Sequence, residues 1–255
     1  MVVERAVEIR KGFHQSLEEV SHEIVRLAGL VTEALGKATE ALLSGDLTVA
    51  EAIIRGDDVL DELTLEIEEH CYQLLTLQQP MAKDLREVVT AIRLTAEIER
   101  SGDLVANIMK ATRRMYGVEF DPKLRGLIER LGKQVHRQFR LAIDAYVERD
   151  DKLAAAIDDM DDIVDELHGD YIQAIFETHE RGAVALQAAV QLAVVGRFYE
   201  RIGDHAVNIG ERVQYMVTGW LPEHTSAARR AAEVSGGDDL PLAPGPSDAG
   251  VDGDL

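Results

Sequence analysis

Residues 99–108 read ERSGDLVANI, and residues 200–209 read ERIGDHAVNI. Glu, Arg, Gly, Asp, Asn and Ile return in the same order at the same spacing. Upstream of each lies a second matching pair, DDVLDEL at 57–63 and DDIVDEL at 161–167. The first pair is offset by 101 positions and the second by 104. A three-residue difference between the intervening turns reconciles them, so the chain reads as two homologous halves.

Working outward, the apolar residues keep helical time. Leu17, Val20, Ile24, Leu27, Val31, Leu35, Ala38 and Leu42 recur at spacings of three and four, which predicts an amphipathic helix from about Ala6 to Leu43. Ser44-Gly45-Asp46 closes it, and Asp46 is placed to cap the next. A second helix is expected to Leu77, where Gln78-Gln79-Pro80 breaks it, and a third from Met81 to Met115. After a break at Tyr116 to Pro122 the order repeats. A fourth helix spans Pro122–Glu148, a fifth runs to His179 beyond Arg149-Asp150-Asp151, and a sixth ends at Thr218 after Glu180-Arg181-Gly182. The expected fold is all-α: six long helices in two homologous three-helix bundles, 6–116 and 121–219. Residues 222–255, rich in Gly, Pro, Ser and Asp, are expected to form a disordered tail.

Composition narrows the function. The 47 acids outnumber the 27 basic residues, for a net charge of −20. A nucleic-acid partner would call for a basic surface, so none is expected. The lone Cys71 excludes an internal disulfide and fits a reducing compartment. The N-terminus lacks a signal-peptide apolar run, and no segment has the roughly 20 uncharged apolar residues of a membrane span. A cytoplasmic protein is expected. Neither a nucleophile–base pair nor a phosphate-cradling glycine loop is present, so no enzyme is expected either.

The acids themselves are patterned. Each half carries two pairs at four-residue spacing: Asp57 with Asp61 and Glu99 with Asp103, then Asp161 with Asp165 and Glu200 with Asp204. Such pairs share one helix face, one turn apart. They lie on stripes with small or apolar residues such as Ala96, Gly102, Ala106 and Ala154, so the acids are expected to point inward. The two pairs of the first half are centred 21 residues either side of Pro80; in an antiparallel hairpin they would therefore face each other at one height. The second half behaves alike about Gly182. Carboxylates so gathered repel unless cations bind, protons bind or bases pair with them. Oxygen-rich clusters suit divalent ions and iron, with Gly102 and Gly203 leaving room and Asn107 and Asn208 in support. His168 and His205 have no counterparts in the first half; core or surface roles are expected for all eight histidines.

The doubled Glu-Arg-x-Gly-Asp-x-x-x-Asn-Ile run, each preceded by an Asp-x-x-x-Asp helix, resembles the PhoU family of phosphate transport accessory proteins over roughly residues 10 to 218. Pro80 and Asp84-Leu85-Arg86 resemble that family's hairpin entry, whereas the second half has Ala185-Leu186-Gln187. The resemblance implies a negative regulator of phosphate uptake and of the phosphate-starvation response. Its implied partners are a phosphate ABC transporter ATPase and a sensor histidine kinase, and a homodimer is compatible with it. It also implies divalent-metal or iron clusters held by Asp57, Asp61, Glu99 and Asp103 and by Asp161, Asp165, Glu200 and Asp204. The alternatives are a carboxylate-bridged di-iron protein of ferritin-like type, for which only Glu19-x-x-His22 fits the expected pair, and a metal-free helical scaffold.

Overall fold

The structure, a computed structural model, describes residues 2–220, with side chains from Lys11 onward. Six helices make it up: α1 Val2–Ser44, α2 Leu47–Gln78, α3 Lys83–Arg114, α4 Pro122–Glu148, α5 Asp151–Glu180 and α6 Leu186–Thr218. No strand occurs among the described residues. The tail expected over 222–255 lies outside them. No described helix is long and apolar enough to cross a membrane.

Local chemistry sets the boundaries. Asp46, Asp121 and Asp150 each precede a helix in extended conformation and accept hydrogen bonds from its first free N–H groups, the usual remedy for unpaired donors at a helix start. Pro122 follows Asp121 at the first helical position, where its missing N–H does no harm. The third helix begins at Lys83, two residues later than expected. Ala82 before it has a positive φ of 51° and offers no side-chain cap. Asp84, in the first turn, instead places negative charge at the positive end of the helix.

Within each half the three helices pack on one another. Across the halves α1 meets α4 and α3 meets α6, while α2 touches only α1 and α3 and α5 only α4 and α6. Four helices, α1, α3, α6 and α4, therefore close a central bundle, with α2 and α5 flanking opposite edges. At the α3–α6 seam Arg114 donates to Gln191 (3.4 Å), Ser101 meets His205 (3.0 Å) and Asn208 donates to Glu97 (3.2 Å). These contacts descend one helix as they climb the other, so the pair runs antiparallel.

The core is aliphatic with a few large rings; Tyr171, Tyr199 and Phe139 are the largest side chains almost wholly buried. Buried hydroxyls need partners. Tyr199 finds Thr39 across the halves at 2.9 Å, and Tyr171 donates to the Leu192 carbonyl at 2.9 Å. A second tie crosses the halves: Arg149 forms a two-pronged pair with Glu87, its second prong 3.1 Å long. Burial opposes the charge on Glu87, but the hydrogen bond and charge of Arg149 together outweigh it and hold Glu87 below the ordinary carboxylate range. Cys71 is buried, and burial beside Glu23 and Glu68 pushes its thiol up to about 12. It is a small core residue, far from the thiolate that reactivity requires.

Candidate metal centre

The first hairpin, α2 with α3, brings its four acids to one level. Asp57 lies within electrostatic reach of both Asp61 and Asp103, and Glu99 within reach of Asp57, Asp61 and Asp103. Asp57 and Glu99 are half-buried while Asp61 and Asp103 are exposed. The cluster thus sits at the mouth of the inter-helix groove, and the expectation that all the acids point inward is corrected. Four-residue spacing fixes a face but not its depth, and here the face straddles core and solvent. Burial first, and like charge second, raise the carboxyls of both Asp57 and Glu99. Lys110 and Arg100 offset only part of this.

The second hairpin, α5 with α6, carries the same motif but neutralises it differently. Asp161 lies within reach of Asp165 and Asp204, and Gln138 of α4 donates a 2.9 Å hydrogen bond to its Oδ1. Burial still raises Asp161. One oxygen of Glu200 pairs with Arg197 one turn earlier, where the first hairpin has Ala96. The other, Oε2, is buried without a partner, and so is Nε2 of His168. His168 is held below its ordinary value by burial, then by Arg197, against the pull of Asp165. Asp165 is exposed; Asp161, Glu200 and Asp204 are half-buried.

The two glycines expected to make room do different things. A Cβ at Gly102 would meet Leu60 Cδ1 at 2.7 Å and Val31 at 3.5 Å. That glycine therefore faces the core and lets helices close, contrary to expectation. A Cβ at Gly203 would meet Asp161 Oδ1 at 2.8 Å, so this glycine does border the acids. The asparagines are engaged elsewhere: Asn107 accepts from Lys110 (3.3 Å), and Asn208 reaches across to Glu97.

His205 takes the core role expected of it. It is buried at the α3–α6 seam, where it meets Ser101 at 3.0 Å and burial lowers its affinity for a proton, beside Glu97, Arg201, Arg100 and Asp204.

The donor chemistry fits a bound cation in both hairpins. In the first it is all oxygen and poorly compensated; in the second it is oxygen with one imidazole, and two buried donor atoms lack partners. Among the described residues, no group of three His, Cys, Asp or Glu side chains is already arranged to hold an ion. A cation would have to draw the carboxylates together.

The family comparison matches the PhoU domain twice, over residues 24–112 and 128–213. Among curated relatives, the phosphate-specific transport system accessory protein PhoU homolog 1 of Mycobacterium tuberculosis is 35% identical, covering 84% of this chain and 96% of that one. The PhoU homolog of Caulobacter vibrioides is 33% identical, covering 82% and 91%. Among solved structures, PhoU from Pseudomonas aeruginosa aligns with a TM-score of 0.77 at 27% identity, over 82% of this chain and all of that one. The phosphate transport system regulatory protein PhoU from Streptococcus pneumoniae gives 0.76 at 28%, over 82% and 98%.

Proposed function

This chain belongs to the PhoU family, and we propose that it is a non-catalytic, cytoplasmic regulator of phosphate transport. It restrains phosphate uptake and the starvation response by contacting a phosphate ABC transporter ATPase and a sensor histidine kinase. The observation that carries the reading is the paired match of both halves to the family domain, together with relatives named as accessory proteins of phosphate-specific transport. A pull-down with the full chain from phosphate-replete and phosphate-starved cells tests it. Recovery of the transporter ATPase or a histidine kinase from replete cells, and loss on starvation, is expected. Equal recovery, or none, in both states contradicts the role.

We further propose that the acidic hairpins bind divalent metal or iron. Asp57, Asp61, Glu99 and Asp103 would hold one site, and Asp161, Asp165, Glu200 and Asp204 the other. A bound cation would supply positive charge, offsetting both the burial and the like-charge repulsion that raise Asp57, Glu99 and Asp161. Support comes from the clustering of acids in each hairpin, poorly compensated in the first, and from the unpartnered Glu200 oxygen in the second.

A further inference from the structure

Exposed apolar side chains recur at equivalent places in the two hairpins. Tyr72 and Phe176 are 52% and 61% exposed, Leu85 and Leu186 40% and 63%, and Val89 and Val190 37% and 51%. Each pair keeps the offset of the acidic motifs, 104 between α2 and α5 and 101 between α3 and α6. Isolated exposed apolar residues are normal. Val59 and Ile163, 50% and 47% exposed, also keep the offset of 104 while lying half a turn round from Asp57 and Asp161. What sets the three pairs apart is that they share stripes with the acids.

Their placement relative to the acids is also repeated. On α2, Asp57, Asp61, Leu65, Glu68 and Tyr72 follow at steps of three or four, which is one stripe of a helix. On α3, Leu85, Val89, Ile92, Glu99 and Asp103 lie on another. The acids of the two stripes sense each other's charge, so both stripes border the same α2–α3 seam. Acids occupy its middle, and an aromatic with two aliphatic residues occupies its hairpin end. Asp61 and Tyr72 are eleven residues apart, about 16 Å along a helix. The α5–α6 seam repeats this from Asp165 to Phe176.

We infer that each seam is a docking strip for a basic, amphipathic helix of a partner protein, with two strips per chain. A groove between two helices receives the ridge of a third, and three turns of a partner would carry Lys or Arg over the acids and apolar anchors onto the hairpin end. Charge chooses this occupant. A second copy, also at −20, would set acid against acid, and an anionic lipid surface would be repelled likewise. The strips differ in strength. Arg197 already neutralises part of the second, so the first binds the basic helix roughly tenfold more tightly. This goes beyond the metal reading, because it needs only the carboxylates and the apolar side chains.

Calorimetric titration of the full chain in EDTA, which keeps the outcome separate from metal binding, tests the inference. The probe is a synthetic 18-residue Leu/Lys helix, with a scrambled peptide of the same composition as control. Two peptides per chain are expected, with the scrambled peptide at least tenfold weaker. Tyr72→Ser with Val89→Ser abolishes the tighter site, and Phe176→Ser with Val190→Ser the weaker. A photo-crosslinkable version should attach to unmodified chain beside Tyr72 and Phe176. Equal binding of the scrambled peptide, indifference to both variant pairs or attachment elsewhere overturns the inference. So does a dimer, or binding to anionic vesicles, that the same substitutions abolish.

Discussion

The two hairpins carry one acidic motif in two electrostatic settings. In α2–α3 the half-buried Asp57 and Glu99 are raised by burial and then by the other acids they face, and Lys110 and Arg100 offset only part of this. In α5–α6 the fold supplies Gln138 to Asp161 and Arg197 to Glu200. Duplication preserved the acids while neighbouring positions changed around them. The sequence motif therefore locates charge, and the helices packed against it decide how much of that charge remains uncompensated.

The largest break in the comparison comes at the paired glycines. Gly203→Ala drives a methyl into Asp161 and away from its Gln138 bond, and should destabilise the chain by about 2 kcal/mol. Gly102→Ala meets only the flexible end of Leu60 and gains helix propensity, so its cost should stay below about 1 kcal/mol. Urea denaturation of the two variants measures the gap; equal losses would mean that the glycines are equivalent after all.

Arg197→Ala should make the second hairpin resemble the first. It leaves Glu200 with no basic partner and should cost about 1 kcal/mol at pH 7, while Ala96→Arg should stabilise the first hairpin by ~0.5 kcal/mol. High salt should shrink both effects, because the arginine at either position is partly exposed.

The neutralising substitutions should have effects no larger than that of Ala96→Arg. A carboxyl whose folded pKa is raised holds its proton more tightly in the folded state, so folding loses stability as pH climbs from the unfolded to the folded value. Above that window the penalty is fully present; below it, absent. Asp57→Asn or Glu99→Gln should therefore raise stability at pH 7 by ~0.5 kcal/mol, the scale of partly exposed charge pairs, and do nothing at pH 3. Asp161→Asn should gain less, since Gln138 already donates to that carboxylate. Thermal melts at the two pH values read this directly.

Much of the fold was legible because helices of this length display their period many times over. Gly45, Asp46, Pro122 and Asp150 mark ends that cap chemistry explains. Two features escaped. Pro80 placed the start of α3 at Met81, but the positive φ of Ala82 delays it. Periodicity also names the buried face of each helix without naming the neighbour, so the contacts of α1 with α4 and α3 with α6 could not be read. At the candidate site, repetition singled out the eight acids; Asp57, Asp61, Glu99 and Asp103 do come within reach of one another, and Asp161 comes within reach of Asp165 and Asp204. Depth was misjudged, since Asp61, Asp103 and Asp165 lie on the solvent side of their stripes. Gly102 was misread for a related reason: a one-residue rotation about α3 turns it from the acids toward Leu60.

Native mass spectrometry of the chain titrated with Mn²⁺ or Fe²⁺ tests cation binding by the two hairpins most directly. Metal should load at two separable sites. Asp57→Asn with Glu99→Gln should remove one, and Asp161→Asn with Glu200→Gln the other. A chain that takes up no metal, or takes up the same amount in all variants, would contradict it.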